Sequence, residues 1–267
     1  SGFGTTNTGP YDLLEEAKKW QGKKAQAGYA CLLWPKDYGG RGASPIESVI
    51  WSQEEGVYSK VSGTFIIGQG MCGPTIMAYA SEEQKQRYLP KLASGEEVWC
   101  QLFSEPGAGS DVASLQTTAK KEGDVYVING SKTYITNGQH ADLIVLVAKT
   151  DPNLGAKGIS LIVVEADATG FERGRNLKKM GLKAQDTAEL FFNDLKVPKD
   201  NVLGEPGKGF YYLMDGLAEE RLIGACGYLA AGQLSWDLTA DYVRERKAFG
   251  KPLAAFQNTQ FKLAELR

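Results

Sequence analysis

The sequence predicts an α+β protein in three consecutive regions. These are an N-terminal α-helical domain over residues 1–98, a central, mostly antiparallel β domain over 99–206, and a C-terminal α-helical domain over 207–267. Three observations carry this reading. Apolar residues recur at helical spacing before Trp99, short runs rich in Val, Ile, Tyr and Thr replace them from Trp99 onward, and helical spacing returns after Pro206.

In the first region, Leu13, Leu14, Ala17, Trp20 and Ala25 lie among charges and predict a helix from Asp12 to Gly28. Pro45 opens a second helix through Ile46, Val49, Ile50 and Trp51, because its fixed φ suits the first helical position. Ser81-Glu82-Glu83-Gln84 has the pattern of a capping box, the serine and glutamine side chains each closing one free N–H, and predicts a third helix start.

In the β region, residues 125–128, then Asn129-Gly130, then 131–136 predict a hairpin turning at Asn129-Gly130, since both residues tolerate positive φ. Strands at 143–148, 159–164 and 188–192 follow with no helix-length segment between them, which favours antiparallel pairing over a doubly wound sheet. No proline falls between Pro206 and Pro252, and Leu213, Leu217, Leu222, Ile223, Leu229 and Ala230 predict a long helix over 210–246. The chain stops within an uncapped amphipathic stretch at 261–267, which predicts a truncated C-terminal domain, and Ser1 in place of Met predicts a processed or engineered start.

Composition narrows the function classes. Of 267 residues, 42% are hydrophobic and 23% charged, an ordinary globular mixture. Thirty Lys and Arg against 32 Asp and Glu leave a net charge of −2, which argues against nucleic acid or an anionic membrane as partner. The apolar runs are far shorter than a membrane span, so no membrane insertion is expected. Cys31, Cys72, Cys100 and Cys226 form no C-x-x-C pair, which predicts a reducing compartment, cytoplasmic or, in a eukaryote, the mitochondrial matrix. His140 is the single histidine, so a two-His metal centre is excluded and no metal is expected.

Gly68-Gln69-Gly70-Met71-Cys72-Gly73 matches G-x-G-x-x-G. A dinucleotide site needs a second parallel strand ending in an acid, whereas a capped, charged helical stretch follows here, so close helix packing is the better reading. The segment from Cys100 through Ser104-Glu105-Pro106-Gly107-Ala108-Gly109-Ser110-Asp111 permits a backbone concavity whose N–H groups can face an anion or a flat heterocycle; a plain structural turn is the alternative. Tyr134 and Thr136, two apart on a predicted strand, share a face and present an aromatic plane with a hydroxyl, as a planar cofactor or an ordinary cross-strand pair would use.

Ser104-Glu105-Pro106-Gly107-Ala108-Gly109-Ser110-Asp111, Asn129-Gly130-Ser131-Lys132-Thr133-Tyr134-Ile135-Thr136-Asn137-Gly138, and Arg246-Lys247-Ala248-Phe249-Gly250-Lys251 with Gln257 together resemble the acyl-CoA dehydrogenase family. The resemblance extends over Trp34-Pro35-Lys36-Asp37-Tyr38-Gly39-Gly40 and Val197-Pro198-Lys199-Asp200-Asn201-Val202-Leu203-Gly204, and so over nearly the whole chain. It implies the same three-domain order and an FAD cofactor. Gln101, Leu102, Phe103, Ser104, Gly109 and Ser110 would line the flavin, with Ser104 on its pyrimidine side; Tyr134 and Ile135 would flank the ring, and Thr136 would reach N5. Arg246, Phe249 and Gln257 would grip the ADP half of a neighbouring subunit's FAD, which implies a homo-oligomer or heteromer.

The implied reaction oxidises an acyl-CoA thioester to its 2,3-enoyl form, which needs a carboxylate base in a water-poor pocket. Glu220 is the candidate. Gly216, Gly224 and Gly227 share its helical stripe and leave space beside it, and Glu220 before Arg221 matches the base position of the long-chain and isovaleryl branches. Ser110, Leu217 and Arg221 are the candidates for substrate contact. Ala218 departs from the pattern, standing where several members carry an Asp toward the CoA arm. An electron-transferring flavoprotein is the implied partner. An oxygen-using acyl-CoA oxidase or flavin monooxygenase of the same fold, or a non-catalytic FAD-site subunit, remain the alternatives.

Overall fold

A computed structural model describes residues 13–58, 61, 63–182 and 185–267, so the expected helix start at Asp12 and the reading of Ser1 lie outside the described residues. The chain forms two compact units, Ser1–Asp215 and Gly216–Arg267. Within the first, helices α1 (Leu14–Gln26), α2 (Pro45–Glu55), α3 (Gly73–Tyr79) and α4 (Glu82–Ser94) precede the sheet. Local chemistry sets their starts. The Ser44 N–H donates to the Glu47 carboxylate at 2.8 Å just before Pro45. At α4 the Ser81 N–H donates to Gln84 Oε1 at 3.0 Å, and the Gln84 N–H donates to Ser81 Oγ at 3.3 Å.

The glycine-rich motif is packing, as expected. Gly68–Cys72 form a π-helical turn that runs into α3. A Cβ on Gly68 would lie 2.6 Å from Leu92, and one on Gly73 would lie 2.2 Å from the Trp34 ring, so only glycine lets these elements approach.

The sheet is built around β4 (Leu143–Lys149), which pairs antiparallel with β5 (Ile159–Glu165) along its whole length. Its other edge takes β1 (Trp99–Leu102) in parallel from Trp99↔Leu143 to Leu102↔Leu146, and β2 (Thr118–Glu122) only at Thr118↔Lys149. From β2 the sheet continues antiparallel through β3 (Val125–Thr136), β7 (Thr187–Pro198) and β6 (Phe171–Asn176), while β8 (Val202–Leu203) closes the far side against β5. Both faces are covered. Val145 and Val147 pack with Trp34, Leu89 and Leu92 of the helical region, and Ile144 and Leu146 pack with Ile128, Leu190 and Phe192 inside the curled sheet. That two-sided burial is why β4 reads as an unbroken apolar run.

The hairpin expected at Asn129-Gly130 is not there. β3 runs through those residues, and the chain reverses instead at Gly123-Asp124, between the paired residues Glu122 and Val125. Asn129 is held in the sheet from both sides: it pairs with Thr118, and its side chain exchanges two bonds of 2.9 Å with Asp194. Gly130 sits at a bulge opposite β7 with φ 151°. A Cβ there would fall 2.5 Å from Thr117 Oγ1, so the glycine serves a close approach rather than a turn.

In the second unit, α5 (Gly209–Glu245, which begins in the first) continues to a small hairpin of β9 (Lys247–Ala248) and β10 (Lys251–Pro252), followed by α6 (Gln257–Leu266). No helix among the described residues is long and apolar enough to cross a membrane.

Candidate active site

The predicted site residues fall into two sets, one in each unit. In the first unit, β1 delivers Gln101 and the buried Leu102, and the chain then leaves the sheet. Phe103 packs against the helix-side core, and Ser104 is half-buried. A tight turn follows, in which the Glu105 N–H donates to the Ala108 carbonyl at 2.8 Å and the Ala108 N–H returns a bond of 3.1 Å. Gly107 and Gly109 have open space where a Cβ would be, and Gly109 and Ser110 are exposed.

Facing this loop is the end of β3. The Thr133 N–H donates to the Ser104 carbonyl at 3.0 Å, tying the two segments together. Ile135 is buried between Tyr134, which is 71% exposed, and the half-buried Thr136. Tyr134 has φ 59°, a left-handed conformation that an aromatic residue rarely adopts. Strain of this kind persists where surrounding structure enforces it, and here Asn137 anchors the strand end by donating to the Thr64 carbonyl at 2.7 Å and the Trp99 carbonyl at 3.2 Å.

In the second unit, Glu220 is half-buried on α5, with Leu217 half-buried and Arg221 exposed beside it. The position of a Cβ on Gly216 lies 3.5 Å from Glu220 Oε1, and Gly227 has nothing nearby, so the glycine stripe leaves room along this face. Burial raises the Glu220 carboxyl above the ordinary carboxylate value, and the adjacent charge of Glu219 adds to the shift.

Arg246, Phe249 and Gln257 cluster around the small hairpin. The Arg246 carbonyl accepts the Leu253 N–H at 2.8 Å, and Gln257 begins α6. The turn residues Phe249 and Gly250 have φ of 52° and 78°, the twist of a two-residue hairpin turn. Asn or Gly is usual at the first of these positions; here a phenyl ring stands 95% exposed. Arg246 and Gln257 are exposed as well, and the Arg246 guanidinium has no partner among the described residues.

Three family models cover the chain in order. The N-terminal domain of acyl-CoA dehydrogenase matches residues 11–96, the middle domain 100–195 and the C-terminal domain 207–267. A crystal structure of acyl-CoA dehydrogenase from Geobacillus kaustophilus is 46% identical with a TM-score of 0.84, covering 98% of this chain and 70% of that one. The chain belongs to the acyl-CoA dehydrogenase family.

Among relatives in the family, pig long-chain specific acyl-CoA dehydrogenase, mitochondrial, is 45% identical over 223 residues, 82% of this chain and 51% of that protein. Rice isovaleryl-CoA dehydrogenase, mitochondrial, is 42% identical over 239 residues, 88% of this chain and 58% of that protein. Butyryl-CoA dehydrogenase from Megasphaera elsdenii, a solved structure, is 33% identical with a TM-score of 0.80, covering 96% of this chain and 69% of that one. The chain spans about half the length of the curated relatives it matches.

Within the family's middle domain, sequence reasoning gave no role to Lys132 or Asn137 and took Glu105 only as part of the flavin-lining loop; the three hold the loop and the strand end. Lys132 falls at an even strand position, the parity of the buried Ile128, and that was the available signal of an inward-pointing charge.

Proposed function

We propose that the protein is an FAD-dependent acyl-CoA dehydrogenase that converts an acyl-CoA thioester to the 2,3-enoyl-CoA. The observation that carries this reading is Glu220: a half-buried carboxylate with a raised pKa, on a glycine-flanked stretch of α5, in a chain of this family. The residues present fit the cofactor. Tyr134 offers an uncovered aromatic face, Gly107 and Gly109 leave open space at the loop, and the Ser104 and Thr136 hydroxyls have no partner among the described residues. Arg246 and the phenyl ring of Phe249 suit a pyrophosphate and an adenine.

When bound, FAD supplies the acceptor for the hydride leaving the substrate β-carbon. The chain's own task is the other half of the reaction. Glu220 takes the α-proton onto its carboxylate, so it must be ionised before turnover and basic enough to compete for that proton, which its raised pKa provides. Ser104 and Thr136 would bind the ring edge, Tyr134 would cover its face with Ile135 next to it in the chain, and Gln101, Leu102, Phe103, Gly109 and Ser110 would line the loop side. Ser110, Leu217 and Arg221 are the proposed substrate-binding residues. Arg246, Phe249 and Gln257 hold the ADP half of a neighbouring protomer's cofactor, so the working form is an oligomer. An electron-transferring flavoprotein is the proposed oxidant of the reduced enzyme.

The test is a visible spectrum of the full-length protein, titrated anaerobically with acyl-CoA thioesters of differing chain. A yellow protein that bleaches with one class of thioester is expected, and Glu220→Gln should slow bleaching by about 100-fold or more. A protein that stays colourless when FAD is supplied, or a Glu220→Gln variant that bleaches at the parent rate, overturns the reading.

A further inference from the structure

β1 and the second half of β3 meet where the sheet has no ladder. β2 leaves β3 at Asn129, whose partner is Thr118, while β1 is paired to β4. β3 there keeps its ladder to β7 only, and the two stretches that face each other carry the proposed flavin contacts: Ser104, Gly109 and Ser110 follow β1, and Tyr134 and Thr136 end β3. Besides the bond between Thr133 and Ser104 and the one from Asn137 to the Trp99 carbonyl, a buried ion pair spans the gap. The Lys132 ammonium donates to Glu105 Oε1 at 2.8 Å and to the Phe103 carbonyl at 3.1 Å. The Glu105 carboxylate also accepts the Gln116 N–H at 2.5 Å and the Thr117 N–H at 3.0 Å. The two side chains are 0% and 5% exposed.

Stability alone is a poor reason for such a pair. Removing two charges from water offsets most of their attraction, and apolar residues of similar volume commonly serve as well. Geometry is a better reason, because Lys132 reaches the Phe103 carbonyl on one side of Ser104 and the Glu105 side chain on the other, and Glu105 in turn holds the Gln116 and Thr117 amides. We propose that Lys132 and Glu105 are positioning residues that fix the spacing between the 103–110 loop and the Tyr134-Thr136 end of β3, and so the width of the flavin site. This rests on the functional reading above. Neither residue touches the cofactor in this scheme; each acts through the backbone it holds.

The charge states agree. Burial pulls the Lys132 ammonium down to about 8 against the hydrogen bond and charge of Glu105. The Glu105 carboxyl, which burial would raise, is held below its ordinary value by Lys132, Thr117 and Gln116. Both charges are therefore in place at neutral pH.

The experiment compares full-length parent protein, Lys132→Met, and the double variant Lys132→Met with Glu105→Gln. It reads FAD dissociation by titration of apoprotein, the thermal midpoint of apoprotein, and hydrogen exchange at the Gln116, Thr117 and Thr133 amides. Lys132→Met leaves a lone buried carboxylate, so the midpoint should fall and the three amides should exchange faster. FAD binding should weaken by about tenfold or more. In the double variant no lone charge remains, so the midpoint should recover while FAD binding stays weak. If Lys132→Met does not fold, the double variant carries the test. FAD affinity that returns together with the midpoint, or that never changes, assigns the pair to structure alone and overturns the proposal. Parent protein that binds no FAD overturns the functional reading and this inference with it.

Discussion

At the residue scale, the side chain with most of the proposed chemistry is also the one whose environment is easiest to perturb. Burial raises the Glu220 carboxyl first and the Glu219 charge second, so the two causes can be separated. A base works only when ionised, so turnover should fall as pH drops through the raised Glu220 value, which lies above the ordinary 4.5. Glu219→Gln removes the second cause and leaves the first, so the acid limb of the kcat/KM profile should move to lower pH while the plateau at higher pH holds. An acid limb that does not move would mean that another group limits the rate there. Glu220 was singled out in the sequence by glycine neighbours at helical spacing together with the family resemblance, and the structure adds its half-burial. The Lys132–Glu105 pair was not, because its members lie 27 residues apart and only the break in the sheet brings them together.

At the element scale, the misplaced hairpin shows what local turn chemistry can and cannot decide. Asn-Gly tolerates positive φ, and so does a bulge; which of the two forms depends on partners the segment itself does not contain. Thr118 and Asp194 hold Asn129 in the ladder from either side, so the strand continues and the reversal falls to Gly123, with φ 63°. The helix starts were legible for the opposite reason: the groups that cap α4 lie within four residues of one another. Gly130→Ala tests the bulge. Its methyl would sit 2.7 Å from Thr117 Cα and would push apart the segment that also donates to Glu105. A loss of about 2 kcal/mol in denaturant unfolding is expected, in the range of core overpacking. Gly109→Ala, with nothing within 4 Å, should cost far less by the same measurement.

At the scale of the whole molecule, the order of helix, sheet and helix was legible because each region keeps one hydrophobic period for tens of residues. The order of strands was not, since β1 joins β4 across more than forty residues and β3 joins β7 across more than fifty. The same separation bears on the cofactor site. The residues proposed to hold the ring lie in the first compact unit, and Arg246, Phe249 and Gln257 lie in the second, where they stand exposed. If the two sets serve one cofactor across a protomer boundary, defects in them should complement. Gly109→Trp fills the open space at the ring-side loop, and Arg246→Glu sets a negative charge where the pyrophosphate would bind. Each variant alone should form colourless oligomers. Co-expressed with different tags and purified as mixed oligomers, they should regain bound flavin, because a closed symmetric assembly pairs the intact ring half of one protomer with the intact ADP half of another. Mixed oligomers that stay colourless would show that both halves of the site come from a single chain.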